Sequence, residues 1–185
     1  MRRKKLAAWK ILQSKLIINN RWVKIRQDTI RLPDGSVIDD YFVRETSGVV
    51  VVFALTADQK VITIKQYRHG VRRIVQDLPS GIVEPKETPL RAVKRELLEE
   101  TGYRANTLRK VGQAYAEPTG SDTLVHYYLA TGCTKIAQPL DDPREQIMVE
   151  TLTVPELKRR AGGSGIACQF CLSAILLSLS TLKKT

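Results

Sequence analysis

The stretch GIVEPKETPLRAVKRELLEETGY, Gly81 to Tyr103, is where the chain turns from strand patterning to helix patterning. Thr88 suits an N-cap, Pro89 the first helical position and Gly102 a left-handed stop. These signals predict a helix from about Pro89 to Thr101, entered through an ordered loop that begins at Gly81. The same helix carries Glu96, Glu99 and Glu100, in a chain whose net charge is +11. Like charges at helical spacing repel by about a few tenths of a kcal/mol per pair. Such a cluster calls for a counter-ion, a partner or solvation.

The helical wheel narrows the choice. With Glu96 at zero, Leu90, Val93 and Leu97 fall at about 120°, 60° and 100°, Glu100 at about 40° and Glu99 at about −60°. The apolar stripe overlaps the carboxylate arc, so the acids line the rim where the helix meets the domain. Arg95 lies one turn before Glu99 and can hold it. Converging carboxylates are hard oxygen ligands that suit Mg²⁺ or Mn²⁺ together with water and substrate phosphate.

Outward from the helix, the first third reads as strands. RWVKIRQDTIRL and VIDDYFV flank the turn LPDG, Leu32–Gly35, and predict an antiparallel hairpin. VVVVFAL, Val49–Leu55, is an unbroken β-branched run expected of a strand covered on both faces. ADQ turns it back into VITIKQYR, its expected partner. Beyond the helix, RKVGQAYAE, TLVHYYLA and IMVETLTV read as strands. Pro155 opens a short helix, AGGSG breaks the chain, and an apolar helix follows. AGGSG lacks the Gly-Lys-Ser/Thr ending of a phosphate-binding P-loop. The order strand, strand, helix, three strands, two helices predicts an α+β protein, a mixed α/β/α sandwich with an N-terminal antiparallel sheet.

Residues 1–31 hold ten basic side chains against Asp28 alone, +9 of the net +11. A basic arm binds nucleic acid or an anionic surface, or steers an anionic substrate; steering is the simpler reading, since no nucleic-acid motif accompanies the charge. No run reaches the roughly 18 apolar residues of a membrane span. The basic start lacks the apolar core and cleavage site of a secretory leader, so a cytoplasmic protein is expected. Cys168 and Cys171 form a CxxC with no second pair and no histidine nearby in sequence, and with Cys133 they read as ordinary semi-buried thiols rather than a zinc or redox site. His69 and His126 sit among strand residues and read as structural.

Gly81, Glu87, Arg95-Glu96-Leu97, Glu99-Glu100 and Gly102-Tyr103 stand at the defining positions of a Nudix box. Seven of these positions are fixed identities, and seven coincide by chance at a given start about once in 10⁸. With Gln66-Tyr67-Arg68 before the box and Pro118 beyond it, the chain resembles the ADP-ribose pyrophosphatase-like branch of the Nudix hydrolases. The resemblance implies a Nudix fold over residues 46–185. It implies a dimerising role for the hairpin region within residues 1–45, and hence a homodimer.

It also implies Mg²⁺-dependent hydrolysis of a nucleoside diphosphate linked to another group, ADP-ribose or another nucleoside diphosphate sugar first. Other substrates of the family (a GDP-mannose-type sugar, a dinucleotide cofactor, a capped RNA end) stand second, and a catalytically silent nucleotide-binding module third. Glu96, Glu99, Glu100 and the Ser80 carbonyl are the implied metal ligands. Glu99, Glu100 or Glu145 is the implied catalytic base, and Gly81, Glu87, Arg95 and Gly102 hold the motif together. For the substrate, Arg68 is the candidate phosphate clamp, followed by Arg44. Trp22 and Tyr41 are candidates for base stacking. Glu117, before a Pro118-Thr119-Gly120 turn that departs from the branch's usual Pro-Gly, is a candidate for a sugar hydroxyl or an extra ligand.

Overall fold

The computed structural model describes residues 6–143, 146–163 and 165–183. Arg2, Arg3, Lys4 and Lys5 of the basic arm, and Glu145, lie outside them. The chain forms two compact units. One runs up to Thr46 and adds Tyr115–Thr123; the other takes Ser47–Ala114 and the chain from Leu124 on.

In the first unit β1 (Lys10–Asn19), β2 (Lys24–Arg31) and β3 (Val37–Glu45) form an antiparallel sheet in that order. The β2–β3 hairpin expected from LPDG is present. Gly35 takes the positive φ of +91° that glycine adopts without steric cost, and Asp34 Oδ1 accepts the Ser36 N–H at 3.0 Å. The sequence reading did not foresee β1. Its apolar residues do not alternate and all ten positions are exposed, so no period-two burial signal marks it. Asn20 closes the β1–β2 turn by accepting the N–H groups of Trp22 and Val23 at 2.8 and 2.9 Å. Buried Asp28 on β2 accepts from Ser14 at 2.6 Å and from Arg26 at 2.9 Å.

The second unit is built on an eight-stranded mixed sheet. Its path runs β11 (Ile147–Leu152), β5 (Val61–Arg68), β4 (Val49–Thr56), β10 (Leu124–Lys135), β8 (Tyr103–Arg104). Branching from it, β6 (Arg73–Asp77) pairs with β5, β7 (Ser80–Ile82) with β4 and β9 (Thr107–Tyr115) with β10. The β4–β10 pairing is parallel. β4 and β5 pair across the ADQ turn as expected, at Ala54–Ile62 and Leu55–Val61. The strands β6, β7 and β8 went unread because two to five residues carry too little periodicity.

Seven of the eight β4 residues are buried, which its β-branched run anticipated. Val50, Val52 and Ala54 share a cluster with Ala92, Val93 and Leu97 of α1 (Pro89–Thr101), so α1 covers one sheet face. Side chains alternate along a strand, so Val51, Phe53 and Leu55 turn to the other face, and α3 (Gln169–Leu182) packs against β4 and β10. The short α2 (Val154–Ala161) is N-capped by Thr153 and seats Leu157 in the interior. The result is the mixed α/β sandwich predicted. Among the described residues no helix is long and apolar enough to cross a membrane.

Candidate functional site

The local signals at α1 behave as their chemistry requires. Thr88 caps the helix through the Arg91 N–H, and Pro89 opens it. Gly102 ends it at φ +74°, giving its own N–H to Leu98 O at 2.8 Å. A side chain at position 102 would meet the Ala137 carbonyl oxygen at 2.1 Å, so glycine is needed there for space as well as for φ. The buried face is Ala92, Val93, Leu97, Glu100 and Thr101. Leu90, placed on the apolar stripe by the wheel, stays 45% exposed. The wheel gives a direction around the axis but not how far along it the covering strands reach.

β7 then brings its backbone against the acids. Its residues pair with Val49–Val51 of β4, and the Ser80 N–H donates to Glu100 Oε2 at 2.8 Å. Glu100 is only 8% exposed, deeper than a rim position. Gly81 faces Glu96 so closely that an added Cβ would lie 1.9 Å from Oε1. Glycine at 81 is what lets carboxylate and backbone approach.

Arg95 ties the acids together. Its Nε and Nη2 grip the two oxygens of Glu87 at 3.1 and 3.0 Å. Nη1 reaches Glu96 Oε1 at 2.7 Å and Glu99 Oε2 at 3.1 Å, and Nη2 also donates to the Ile82 carbonyl at 3.0 Å. The Arg95–Glu99 pair was legible from spacing. The shared grip on Glu96 and Ile82 was not, because it needs β7 beside the helix. These carboxylates push the Arg95 pKa further above its already high value. Hydrogen bonding from Arg95 in turn holds the Glu87 carboxyl below its ordinary 4.5.

A depressed acid pKa stabilises the fold above the unfolded value and loses that contribution as pH falls through the folded one. The difference in urea midpoint between the protein and Glu87→Gln is therefore expected to be largest above pH 4.5 and to shrink toward pH 3. A gap that stays constant over pH 3–7 would contradict the pairing.

Glu96, Glu99 and Glu100 line one cleft of about 150 Å³ with Leu140, Asp142 and Ile147. Its far wall comes from the loop before β11, where the Leu140 N–H donates to Glu99 O at 2.8 Å. Asp142 was missed by the sequence reading, although the pair Asp141-Asp142 was visible in that loop. Three carboxylates, a glycine cradle and a backbone donor holding one acid in place fit a hard divalent cation such as Mg²⁺.

The remaining candidates have described partners of their own. Arg68, on β5, gives Nε and Nη2 to Asp77 Oδ2, each at 3.2 Å, with 41% of its side chain exposed. Trp22, Arg44 and Glu117 belong to the first unit. The Trp22 ring carries the Arg21 guanidinium 4.4 Å from its centroid. Tyr41 donates to the Thr119 carbonyl, and Arg44 gives its backbone N–H to Gly120 O at 2.9 Å. The Glu117 carbonyl accepts the N–H groups of Gly120 and Ser121 at 3.1 and 2.8 Å, closing the turn that contains Pro118. His126 is half-buried, and its pKa is lowered by that burial and by Lys110.

Comparison with known proteins bears on the family and the fold. A family model described as the NUDIX domain matches residues 45–168. A second, described as the nucleoside diphosphate sugar hydrolase N-terminal domain, matches residues 9–43. The methanol dehydrogenase activator of Bacillus methanolicus is 32% identical over 131 residues, covering 71% of this chain and 70% of that protein. The ADP-ribose pyrophosphatase of Bacillus subtilis is 33% identical over 121 residues, 65% of each. The chain thus spans about two thirds of the length of these relatives. A crystal structure of an ADP compounds hydrolase superposes with a TM-score of 0.85 over 98% of both chains at 20% identity, a likeness of fold.

Proposed function

This chain belongs to the Nudix family, and from that membership we propose that it is a Mg²⁺-dependent hydrolase of nucleoside diphosphate sugars, with ADP-ribose as the first substrate. Water attacks one phosphorus of the diphosphate and the bridging P–O bond breaks, releasing a nucleoside monophosphate and a sugar phosphate. The observation that carries the reading is the cradle in which Gly81 and the Ser80 N–H set Glu96 and Glu100 beside Glu99. The nucleoside diphosphate sugar class is supported by the N-terminal family match and by the named activity of the Bacillus subtilis relative.

In this reading Glu96, Glu99, Glu100 and the Ser80 carbonyl hold the metal. When bound, the ion neutralises developing phosphate charge and acidifies the attacking water, with Mn²⁺ able to replace Mg²⁺. Arg95 keeps Glu96 and Glu99 oriented and Glu87 keeps Arg95 in place, so both act as positioning residues. The proton of the attacking water passes to Glu99, Glu100 or Glu145. Arg68, and after it Arg44, bind phosphate, while Trp22 and Glu117 contact the base and the sugar.

The test is turnover by the full chain with Mg²⁺ on ADP-ribose, ADP-glucose, GDP-mannose, a dinucleotide and capped RNA, read as phosphate released by added phosphatase. ADP-ribose is expected to give the highest kcat/KM. Preference for GDP-mannose or capped RNA would move the assignment within the family. No turnover of any would leave a nucleotide-binding module. Removing residues 1–8 leaves kcat on ADP-ribose unchanged and lowers kcat/KM mainly at low salt if the basic arm only steers.

Gly81→Ala pushes Glu96 out of place and is expected to lower turnover by about 10²-fold, as a misplacement of order 1 Å does. Near-normal kcat would show that the close approach is dispensable.

The same reading makes the protein a cytoplasmic homodimer joined through the first unit. Support comes from β1, whose Ile11, Leu12, Leu16, Ile17 and Ile18 are between 39% and 57% exposed, a concentration of apolar surface that marks an interaction site. Leu16→Asp with Ile18→Asp is expected to shift the sedimentation coefficient from dimer to monomer. A wild-type chain that sediments as a monomer at micromolar concentration would contradict it.

A further inference from the structure

A second cluster of ligating side chains is made of residues other than the glutamates. β6 ends in Asp77, and the start of α3 presents Cys168 at the N-cap with Cys171 one turn later. One carboxylate oxygen and the two sulfurs all lie within 4.8 Å of one another. Asp77 and Cys171 are 3% and 1% exposed, while Cys168 is half-buried. Cys171 Sγ stands 3.8 Å from Asp77 Oδ1 and accepts the Leu78 N–H at 3.3 Å. Arg68 places both its bonds on the other oxygen, Oδ2, and so turns Oδ1 toward the sulfurs.

We propose that Asp77, Cys168 and Cys171 form a second metal site that takes Zn²⁺ through two thiolates and one carboxylate oxygen, with a fourth position open to water.

The spacing is that of a zinc pair, two cysteines separated by two residues. A tetrahedron with Zn–S of about 2.3 Å and Zn–O of about 2.0–2.2 Å sets sulfur and oxygen about 3.5–3.7 Å apart, and Cys171 Sγ stands 3.8 Å from Asp77 Oδ1, within a small side-chain adjustment of that value. Two thiolates and a carboxylate, set against Zn²⁺ and the Arg68 guanidinium, leave no net charge in a buried place, where uncompensated charge is costly. The Leu78 N–H and the Arg68 fork are the outer partners that orient metal ligands and tune them. Sulfur donors select a softer ion than the oxygen donors around Glu96, so the two sites sort Zn²⁺ from Mg²⁺. A disulfide would use only the two sulfurs and leave Asp77 Oδ1 buried against a neutral pair. On binding, the two thiol protons pass to solvent.

Sequence alone did not suggest this site because its third ligand is far from the cysteines along the chain. It does not depend on the proposed hydrolase activity.

Co²⁺ is the probe. The full chain, stripped of metal by chelator and kept reduced, is titrated with CoCl₂ and followed by absorption. One equivalent is expected to produce the intense near-ultraviolet band of thiolate-to-cobalt charge transfer, and an equivalent of Zn²⁺ should bleach it. Cys168→Ser and Cys171→Ser should each lose most of that band. Asp77→Asn should weaken affinity at least tenfold, and Glu100→Gln should leave the titration unchanged. Cys168 is half-buried, so its serine variant keeps the test valid if an Asp77 variant fails to fold. No charge-transfer band, a band that survives both serine variants, or a band lost equally in Glu100→Gln would each overturn the site. So would a chain in which the pair closes to a disulfide in glutathione buffer and takes no cobalt.

Discussion

Glu100→Gln is expected to lower kcat on ADP-ribose by about 10²- to 10⁴-fold, about 3–5 kcal/mol of lost transition-state stabilisation, while the protein stays folded. The amide of glutamine retains an oxygen that accepts the Ser80 N–H, now made to Glu100 Oε2 at 2.8 Å. Its volume is close to that of glutamate, so the packing of this buried position is conserved. What it lacks is the anionic oxygen that a hard divalent cation requires. The change should therefore fall on kcat, with the melting temperature held within about 3 °C, since 1 kcal/mol shifts a chain of this size by about 2–4 °C. Steady-state kinetics and a thermal melt on the same preparation decide it. A loss below tenfold in a folded variant would remove Glu100 from the machinery, and a variant that unfolds would recast it as a structural residue.

The second large effect is on stability. Arg95→Ala deletes five hydrogen bonds, to Glu87, Glu96, Glu99 and the Ile82 carbonyl. It leaves Glu87 and Glu96, with side chains 13% exposed, without their common cation. Breaking a buried charge pair from one side costs about 3–5 kcal/mol. Arg95 keeps 24% of its side chain exposed, so solvent screening reduces the expected loss to about 2–4 kcal/mol, or roughly 5–15 °C in melting temperature. Arg95→Lys should recover only part of it, because an ammonium cannot span both Glu87 oxygens. Millimolar Mg²⁺ should raise the melting temperature of Arg95→Ala more than that of the wild-type chain, since the ion replaces the missing positive charge. A shift below 2 °C, or no difference between the two responses to Mg²⁺, would show that the fork is not what holds the cluster.

How far the sequence could be read depended on how local each cause was. α1 was legible to its ends because a threonine cap, a first-position proline and a left-handed glycine each act within a few residues of the terminus they set. β4 was legible because a strand buried on both faces must be apolar throughout. β1 was not, since its ten exposed residues answer to no burial pattern. β7 and β8 are too short to carry a period, yet β7 is the element that seats the acids. The pairing of Arg95 with Glu99 could be read from spacing, and the structural role of Glu87 followed from the family resemblance. Asp142 escaped because an acidic pair in a loop has no periodic context to mark it.

By itself the sequence determined the family, the extent of the central helix and the identity of the clustered carboxylates. All of these rest on residue type and spacing along one continuous segment. Only the tertiary structure decided the depth of Glu100 behind the Ser80 N–H, the contact of Gly81 with Glu96, the split grip of Arg95 and the meeting of Asp77 with the two cysteines. Each of these joins segments that are neighbours through the sheet rather than along the chain. Their distances are set by strand register and helix packing, which no single stretch of residues encodes.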